Sequence, residues 1–477
     1  MASPSINYDE APLPFSVTLE NGDTVQCRQR VRVIPHRRAV CAGTVTSANK
    51  SSDNNQVFIK LYIDDSRSRV HWQREHDGLQ LLAEKEIVTP EVLYSGATKD
   101  GKAHAIVSRA VTPSSEFLDL WQSAVDNNSR EKLLGTLVSA VAQLHRSGLV
   151  QHDIHLRNFL VSGEAIYTLD GSDIISHQSM TKSQALSNLG LLAAQFEPQY
   201  DDLFVSLFRQ YVAEGCAAVS ESDRDEFICQ RDQQRDRRKA KYLQKIFRQS
   251  TAFSAQQSFT ARTIISKRYD SPELTALLND PDKFIAASEK ILKQGNSSTV
   301  ALIKVGDRNM VIKRYNIKSP WHAVSRALRP TRAAVSWRNA HMLSFYGIPT
   351  AAPVAMLEQR MGPLRGKAYF VCEYQPGITA RDFFAQEGST ETGPVLSAMQ
   401  QIVGLLQRFR IAHGDMKATN FLVRNGRVWL IDLDGMRQIS SPGTFHRAHQ
   451  ADIMRLLQNW EPGSRQYKLF HGMRETV

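Results

Sequence analysis

The chain has 477 residues, 42% hydrophobic and 22% charged, which suits a globular protein with room for two buried cores. Lysine plus arginine outnumber aspartate plus glutamate by 59 to 48, and the resulting +11 favours anionic partners such as nucleotide phosphates, acidic lipid headgroups or nucleic acid. Cys27, Cys41, Cys216, Cys229 and Cys372 form no C-x-x-C pair, excluding a zinc ribbon or disulfide frame. No stretch approaches the ~18 apolar residues of a membrane span, and MASPSINYDEAP lacks the pattern of a signal peptide.

Residues 14–62 alternate as strands, ending in Val57-Phe58-Ile59-Lys60-Leu61-Tyr62. Residues 72–83 read as a helix carrying Glu75. Val92 to Gly96 and Ala105 to Arg109 read as further strands. Leu134, Leu137, Val138, Val141 and Leu144 then recur at helical spacing and lead to His152. The stretch from Arg224 to Arg248 holds nine basic and four acidic residues with a late apolar cluster, Tyr242, Leu243, Ile246 and Phe247, and reads as a helix with a solvated basic face. A simple solvated connector and a lipid- or substrate-facing element both fit that pattern. The order then repeats: strands from Gly295 to Val305 and from Met310 to Tyr315, a helix over 332–345, a strand at Tyr369 to Tyr374, and a long helix marked by Met399, Ile402, Val403 and Leu406.

The repeat carries chemistry. His152-Asp153 is followed by Asn158-Phe159-Leu160-Val161 and Leu169-Asp170-Gly171. His413-Gly414-Asp415 is followed by Asn420-Phe421-Leu422-Val423 and Ile431-Asp432-Leu433-Asp434-Gly435. In both, Asn stands five residues after the first Asp and a second Asp seventeen after it. That is the spacing of the catalytic loop and metal-binding turn of a kinase-like phosphotransferase. A lone Asp or Lys is usually a surface charge, but four elements in the right order, twice, argue against coincidence.

On this reading Asp153 and Asp415 orient the acceptor hydroxyl, and Lys60 and Lys313 contact nucleotide phosphates. Asn158 and Asp170, and in the second copy Asn420, Asp432 and Asp434, are candidate magnesium ligands. Glu75 sits where a helix carboxylate would pair with Lys60. Ser336 holds that place in the second copy, so Lys313 lacks the expected partner, with Asn339 a weak substitute. Lys417, two residues after Asp415, is placed to stabilise the transferred phosphate; His155 stands there in the first copy. The glycine-rich loops are weak: Ala42-Gly43-Thr44-Val45 before Ser51-Ser52, and Gln294-Gly295-Asn296-Ser297-Ser298. Backbone amides at Gly295 and Ser297 could cap phosphates, and a plain β-turn is the equal reading.

No acidic residue lies between Asp307 and Glu358, where Arg308, Lys313, Arg314, Lys318, Arg326, Arg329, Arg332 and Arg338 interleave with Trp321 and Trp337. This stretch reads either as a surface for phosphorylated glycolipid or an anionic bilayer, or as a solvated helix face. Neither copy has an A-P-E element or the Arg of H-R-D, which argues against activation-loop control and favours a small-molecule or sugar acceptor.

The chain resembles the bacterial lipopolysaccharide core kinases, the heptose and Kdo kinases of the InaA-type group. The resemblance rests on His413 to Val423, Leu430 to Asp434, Ser336-Trp337-Arg338-Asn339-Ala340-His341 before Gly347-Ile348-Pro349-Thr350, and His152 to Val161. It implies ATP and magnesium as cofactors, and a cytoplasmic enzyme at the anionic inner face of the inner membrane. It also implies phosphorylation of an inner-core sugar hydroxyl of lipopolysaccharide (core oligosaccharide-lipid A). The expected fold is α+β: two tandem protein-kinase-like domains, each a small β-rich N-lobe and a short helical C-lobe, at 1–215 and 263–477 with a charged basic helical linker at 216–262. Two further readings stand: a pseudokinase that scaffolds envelope assembly, and a small-molecule kinase of the aminoglycoside-phosphotransferase type. Nucleic acid is not expected, because the basic residues come without a recognition module. The sequence is silent on the sugar, on which copy acts and on oligomeric state.

Overall fold

The computed structural model describes residues 8–46, 56–63, 66–316, 329–362, 364–386 and 390–475. The chain is α+β and divides into two compact units, Met1–Asp236 and Arg237–Val477.

In the first unit six antiparallel strands make one sheet, in the order Phe15–Thr18, Thr24–Ile34, Arg38–Thr46, Gln56–Ile63, Ala103–Arg109, Val92–Ala97. Strand alternation sends Val57, Ile59 and Leu61 into a core with Val25, Cys27, Cys41 and Val107. Lys60 therefore faces the other side, toward the helix Ser66–Glu84. Gly43 lies inside a strand, where an added Cβ would stand 2.1 Å from the Gln26 carbonyl oxygen; its glycine serves strand packing, not a phosphate loop. Ser51 and Ser52 lie outside the described residues. The helices Asn127–Arg146, Lys182–Ala193 and Asp201–Glu214 follow and bury Leu137, Val141, Leu189 and Phe208.

The second unit also sets an antiparallel sheet before most of its helices. Seven antiparallel strands run Phe253–Gln257, Ala261–Ser266, Pro353–Met361, Leu364–Glu373, Arg308–Tyr315, Ser298–Val305, Lys290–Gln294 across the sheet. The helix Arg332–Phe345 covers one face with Trp337, Ala340 and Met342. The short helices Pro272–Asn279 and Pro281–Ala286 cover the other with Leu274, Leu277 and Ile285. The helices Thr392–Arg408, Pro442–Leu457 and Arg465–Glu475 follow.

Residues 216–262, expected as a linker, contribute side chains to both cores. Cys216, Val219 and Phe227 pack into the first unit, whereas Leu243, Ile246 and Phe253 pack into the second. Both sets lie on or beside one helix, Arg224–Lys245, whose basic face is not fully solvated. Arg231 and Arg235 are buried against Asp201, with Arg235 donating twice at 2.5 and 2.9 Å. Within the basic stretch after Asp307, Trp337 departs from both expectations. Trp337 is fully buried and its indole N–H donates to the Ile246 carbonyl at 3.1 Å, so it meets no bilayer. Lys318, Trp321 and Arg326 lie outside the described residues. No helix among the described residues is long and apolar enough to cross a membrane, and the five cysteines are free thiols, Cys229 exposed.

Candidate active sites

Each unit builds its Asp–Asn loop with the same hydrogen bonds. In the first, Asn158 Nδ2 donates to the Asp153 carbonyl at 3.3 Å, and Leu169 N–H donates to the Asn158 carbonyl at 2.9 Å. In the second, Asn420 Nδ2 donates to the Asp415 carbonyl at 2.8 Å, and Ile431 N–H donates to the Asn420 carbonyl at 2.9 Å. The loop Asn thus ties each first Asp to the strand that delivers the second. Each strand is pinned from behind by a threonine: Thr89 Oγ1 donates to the Thr168 carbonyl and Thr350 Oγ1 to that of Leu430, at 2.8 and 2.7 Å. That contact gives a role to the threonine shared by Ile87-Val88-Thr89 and Ile348-Pro349-Thr350.

In the first unit Lys60 Nζ forms an ion pair with Glu75 and also reaches the Leu169 carbonyl at 3.3 Å. Glu75 is fully buried, one of its oxygens has no hydrogen-bond partner, and Asp170 is its neighbour. Burial raises its carboxyl to about 7 against the pull of Lys60, and the charge of Asp170 adds to the rise. Burial would raise Asp170 as well, but the charge of Lys60 and the Ser172 hydroxyl and amide, which donate to its Oδ1 at 2.8 and 3.1 Å, overcome it and hold Asp170 at about 2. The helix approaches the metal turn so closely that an added Cβ at Gly78 would stand 1.8 Å from the Gly171 carbonyl oxygen.

The second unit solves the same electrostatic problem differently. Lys313 is not without a partner: its Nζ pairs with Asp432 and with Asp434 Oδ2, the latter at 2.8 Å. Burial opposes the ionisation of Asp432, yet Lys313 lowers it below the usual carboxylate range. Asp432 adopts the left-handed conformation, φ 62° and ψ 60°, which aims it at that lysine. Asn339 does not substitute for the missing helix carboxylate; its amide donates to the Leu433 and Met436 carbonyls at 2.8 and 3.0 Å, fastening helix to metal turn. Ser336 is buried and bonded to the Tyr315 hydroxyl at 2.7 Å. Lys417 Nζ lies 2.8 Å from Asp415 Oδ1. Gly295 and Ser297 stand in a tight hairpin, Gly295 N–H bonding to the Ser298 carbonyl at 3.1 Å.

Three groups escaped the sequence reading. Asp452, buried on the helix Pro442–Leu457, accepts from the His413 and Gly414 amides at 2.7 and 3.0 Å. Its signal was an acid in phase with Ile453 and Leu456 on an apolar helix face. Arg455, one turn on, donates to the Gly414 carbonyl and lies 3.8 Å from Asp415 Oδ1, supplying a guanidinium that H-G-D lacks. Gly414 itself is required, with φ 81° and only 2.8 Å between an added Cβ and the Gly435 carbonyl oxygen. Arg332 also enters the cleft, where its Nη2 donates to Asp434 at 2.9 Å.

Residues 282–471 match the model of the lipopolysaccharide kinase (Kdo/WaaP) family. This region of the second unit belongs to that family. No curated protein matches the chain. The Kdo/WaaP-family region contains Lys313, Asp415, Lys417, Asn420, Asp432, Asp434 and Asp452; the first unit lies outside it. Among the described residues no three His, Cys, Asp or Glu side chains gather into a metal cage. A magnesium ion carried by nucleotide phosphates needs only one or two protein carboxylates. The hard oxygens of Asn420, Asp432 and Asp434, and of Asn158 and Asp170 in the first unit, fit that need.

Proposed function

We propose that both units are protein-kinase-like nucleotide clefts and that the chain transfers a phosphoryl group from ATP to a sugar hydroxyl, heptose or Kdo, of the lipopolysaccharide inner core. The observation that carries this is the Asp–Asn loop tied in both units to the strand that delivers a second aspartate, with the strand lysine paired to Glu75 in the first unit and to Asp432 and Asp434 in the second. Bound magnesium–ATP supplies the phosphoryl group and offsets charge built up in its transfer. Asp415 orients the acceptor hydroxyl and takes its proton, Lys417 and Arg455 hold that carboxylate, and Asp452 fixes the loop beneath it.

The second unit is the one we assign to transfer. It holds the family match and the Asp452 clamp, whereas the first has His155 and, on the helix after its metal turn, Asn188 bonded to the Gln151 carbonyl at 2.7 Å. The acceptor places the protein in the cytoplasm against the anionic inner face of the inner membrane. The test is phosphate transfer from radiolabelled ATP to isolated core oligosaccharide, with magnesium and with EDTA. Asp415→Asn is expected to lower turnover at least about a hundredfold and Asp153→Asn far less. Full activity in the double variant would sink the proposal.

A further inference from the structure

The second unit's helix offers the cleft a cation where the first unit's helix offers a carboxylate. Glu75 aligns with Ser336, whose hydroxyl is already engaged by Tyr315. One turn earlier stands Arg332, aligned with the exposed His71 of the first unit. Arg332 Nη2 donates to Asp434 Oδ2 at 2.9 Å and Nη1 to the Ser297 carbonyl at 3.4 Å, so it spans the hairpin and the metal turn. Its guanidinium lies 4.9 Å from the Tyr315 ring centroid, and Lys313 Nζ lies 5.1 Å from the same ring. Two cations and two carboxylates therefore share one half-buried site, with Lys313 only 13% and Asp434 only 11% exposed at the side chain.

A carboxylate that serves a metal must release its cation when the metal arrives. The released cation, left in a low-dielectric cleft, needs another anion. Lys313 alone would meet that requirement in the usual arrangement. Here a second side chain is in the same position, and it is a fork of donors suited to phosphate oxygens.

We propose that Arg332 is a phosphate-binding residue of the second unit, a second cation beside Lys313 that takes nucleotide phosphate oxygens in place of Asp434. This rests on reading the second unit as a nucleotide cleft. The competing role is a pin that merely joins helix, hairpin and metal turn.

Equilibrium binding of ATP, ADP and adenosine to the full chain separates these. The background carries Lys60→Met and Glu75→Gln, which remove the first cleft's charged pair together. Arg332→Ala is expected to weaken ATP and ADP by roughly tenfold to a hundredfold while leaving adenosine within about twofold. Arg332→Lys should recover part of the loss, and Arg332→Gln, which keeps donors and bulk, reports the charge alone should the alanine variant fail to fold. Equal weakening of all three ligands identifies the pin and overturns the proposal, as does no change in any. A background protein that binds ATP no better than adenosine overturns the nucleotide reading of the second unit and this proposal with it. A background that prefers ATP, unaltered by Arg332→Ala and Arg332→Gln, overturns this proposal alone.

Discussion

Lys60 and Glu75 show how little of a site's energetics can be read from residue types. The sequence places a lysine on a strand and a glutamate on the next helix, and their pairing follows from spacing. The sequence does not show that Glu75 is fully buried, with Asp170 beside it. A buried charge whose partner is removed is costly, whereas replacing both partners by neutral groups is often tolerated. Lys60→Met alone is therefore expected to lower the unfolding free energy of the first unit by roughly 3 kcal/mol, and Lys60→Met with Glu75→Gln to regain most of it. Urea titrations of the two single variants and the double variant check this; additive losses would show that the pair is uncoupled. The second unit pairs two carboxylates, Asp432 and Asp434, with two cations, Lys313 and Arg332. Nothing in the string Ser336-Trp337-Arg338 announces that, because Arg332 contacts Asp434 across 102 positions.

At the scale of elements, periodicity worked where one face of an element is apolar. The helix expected over 332–345 is Arg332–Phe345, and the strand holding Lys313 is Arg308–Tyr315. It said nothing of polar side chains that are buried in pairs. His145 ends the helix Asn127–Arg146 fully buried, its Nε2 bonded to Asn188 at 3.0 Å and its Nδ1 to the Tyr211 hydroxyl at 2.6 Å. Burial lowers its pKa to about 4, against the opposing effect of Asn188. The folded value lies below the unfolded value near 6.5, so this stability is complete above pH 6.5 and is lost as pH falls through 4. The drop corresponds to roughly 3 kcal/mol. Denaturant midpoints of the first unit should fall between pH 6.5 and 4, and His145→Gln should flatten that slope. An unchanged slope in the variant would mean that His145 does not titrate on unfolding.

For the whole molecule, two compact units were legible and their seam was not. A run of charge looks like a connector, yet Phe227 near the start of the helix Arg224–Lys245 belongs to one core and Leu243 near its end to the other. A fragment spanning 237–477 is expected to melt cooperatively. One spanning 263–477 loses Leu243, Ile246 and Phe253, and with them the acceptor of the Trp337 N–H. Burial of those three side chains contributes roughly 5–9 kcal/mol, as much as many domains possess in total. Thermal melts of the two fragments check this, and equal cooperativity would return the segment to the status of a linker.

Asp432 has a consequence for how this cleft can be probed. Its backbone angles, φ 62° and ψ 60°, suit glycine, asparagine and aspartate and penalise other side chains by about 1–2 kcal/mol. Alanine scanning would mix a conformational penalty with the loss of a ligand oxygen, and a dead variant could be a misfolded one. Asparagine keeps the shape and removes only the charge, so it isolates the electrostatic role, and few other replacements at this position are open to mutational drift.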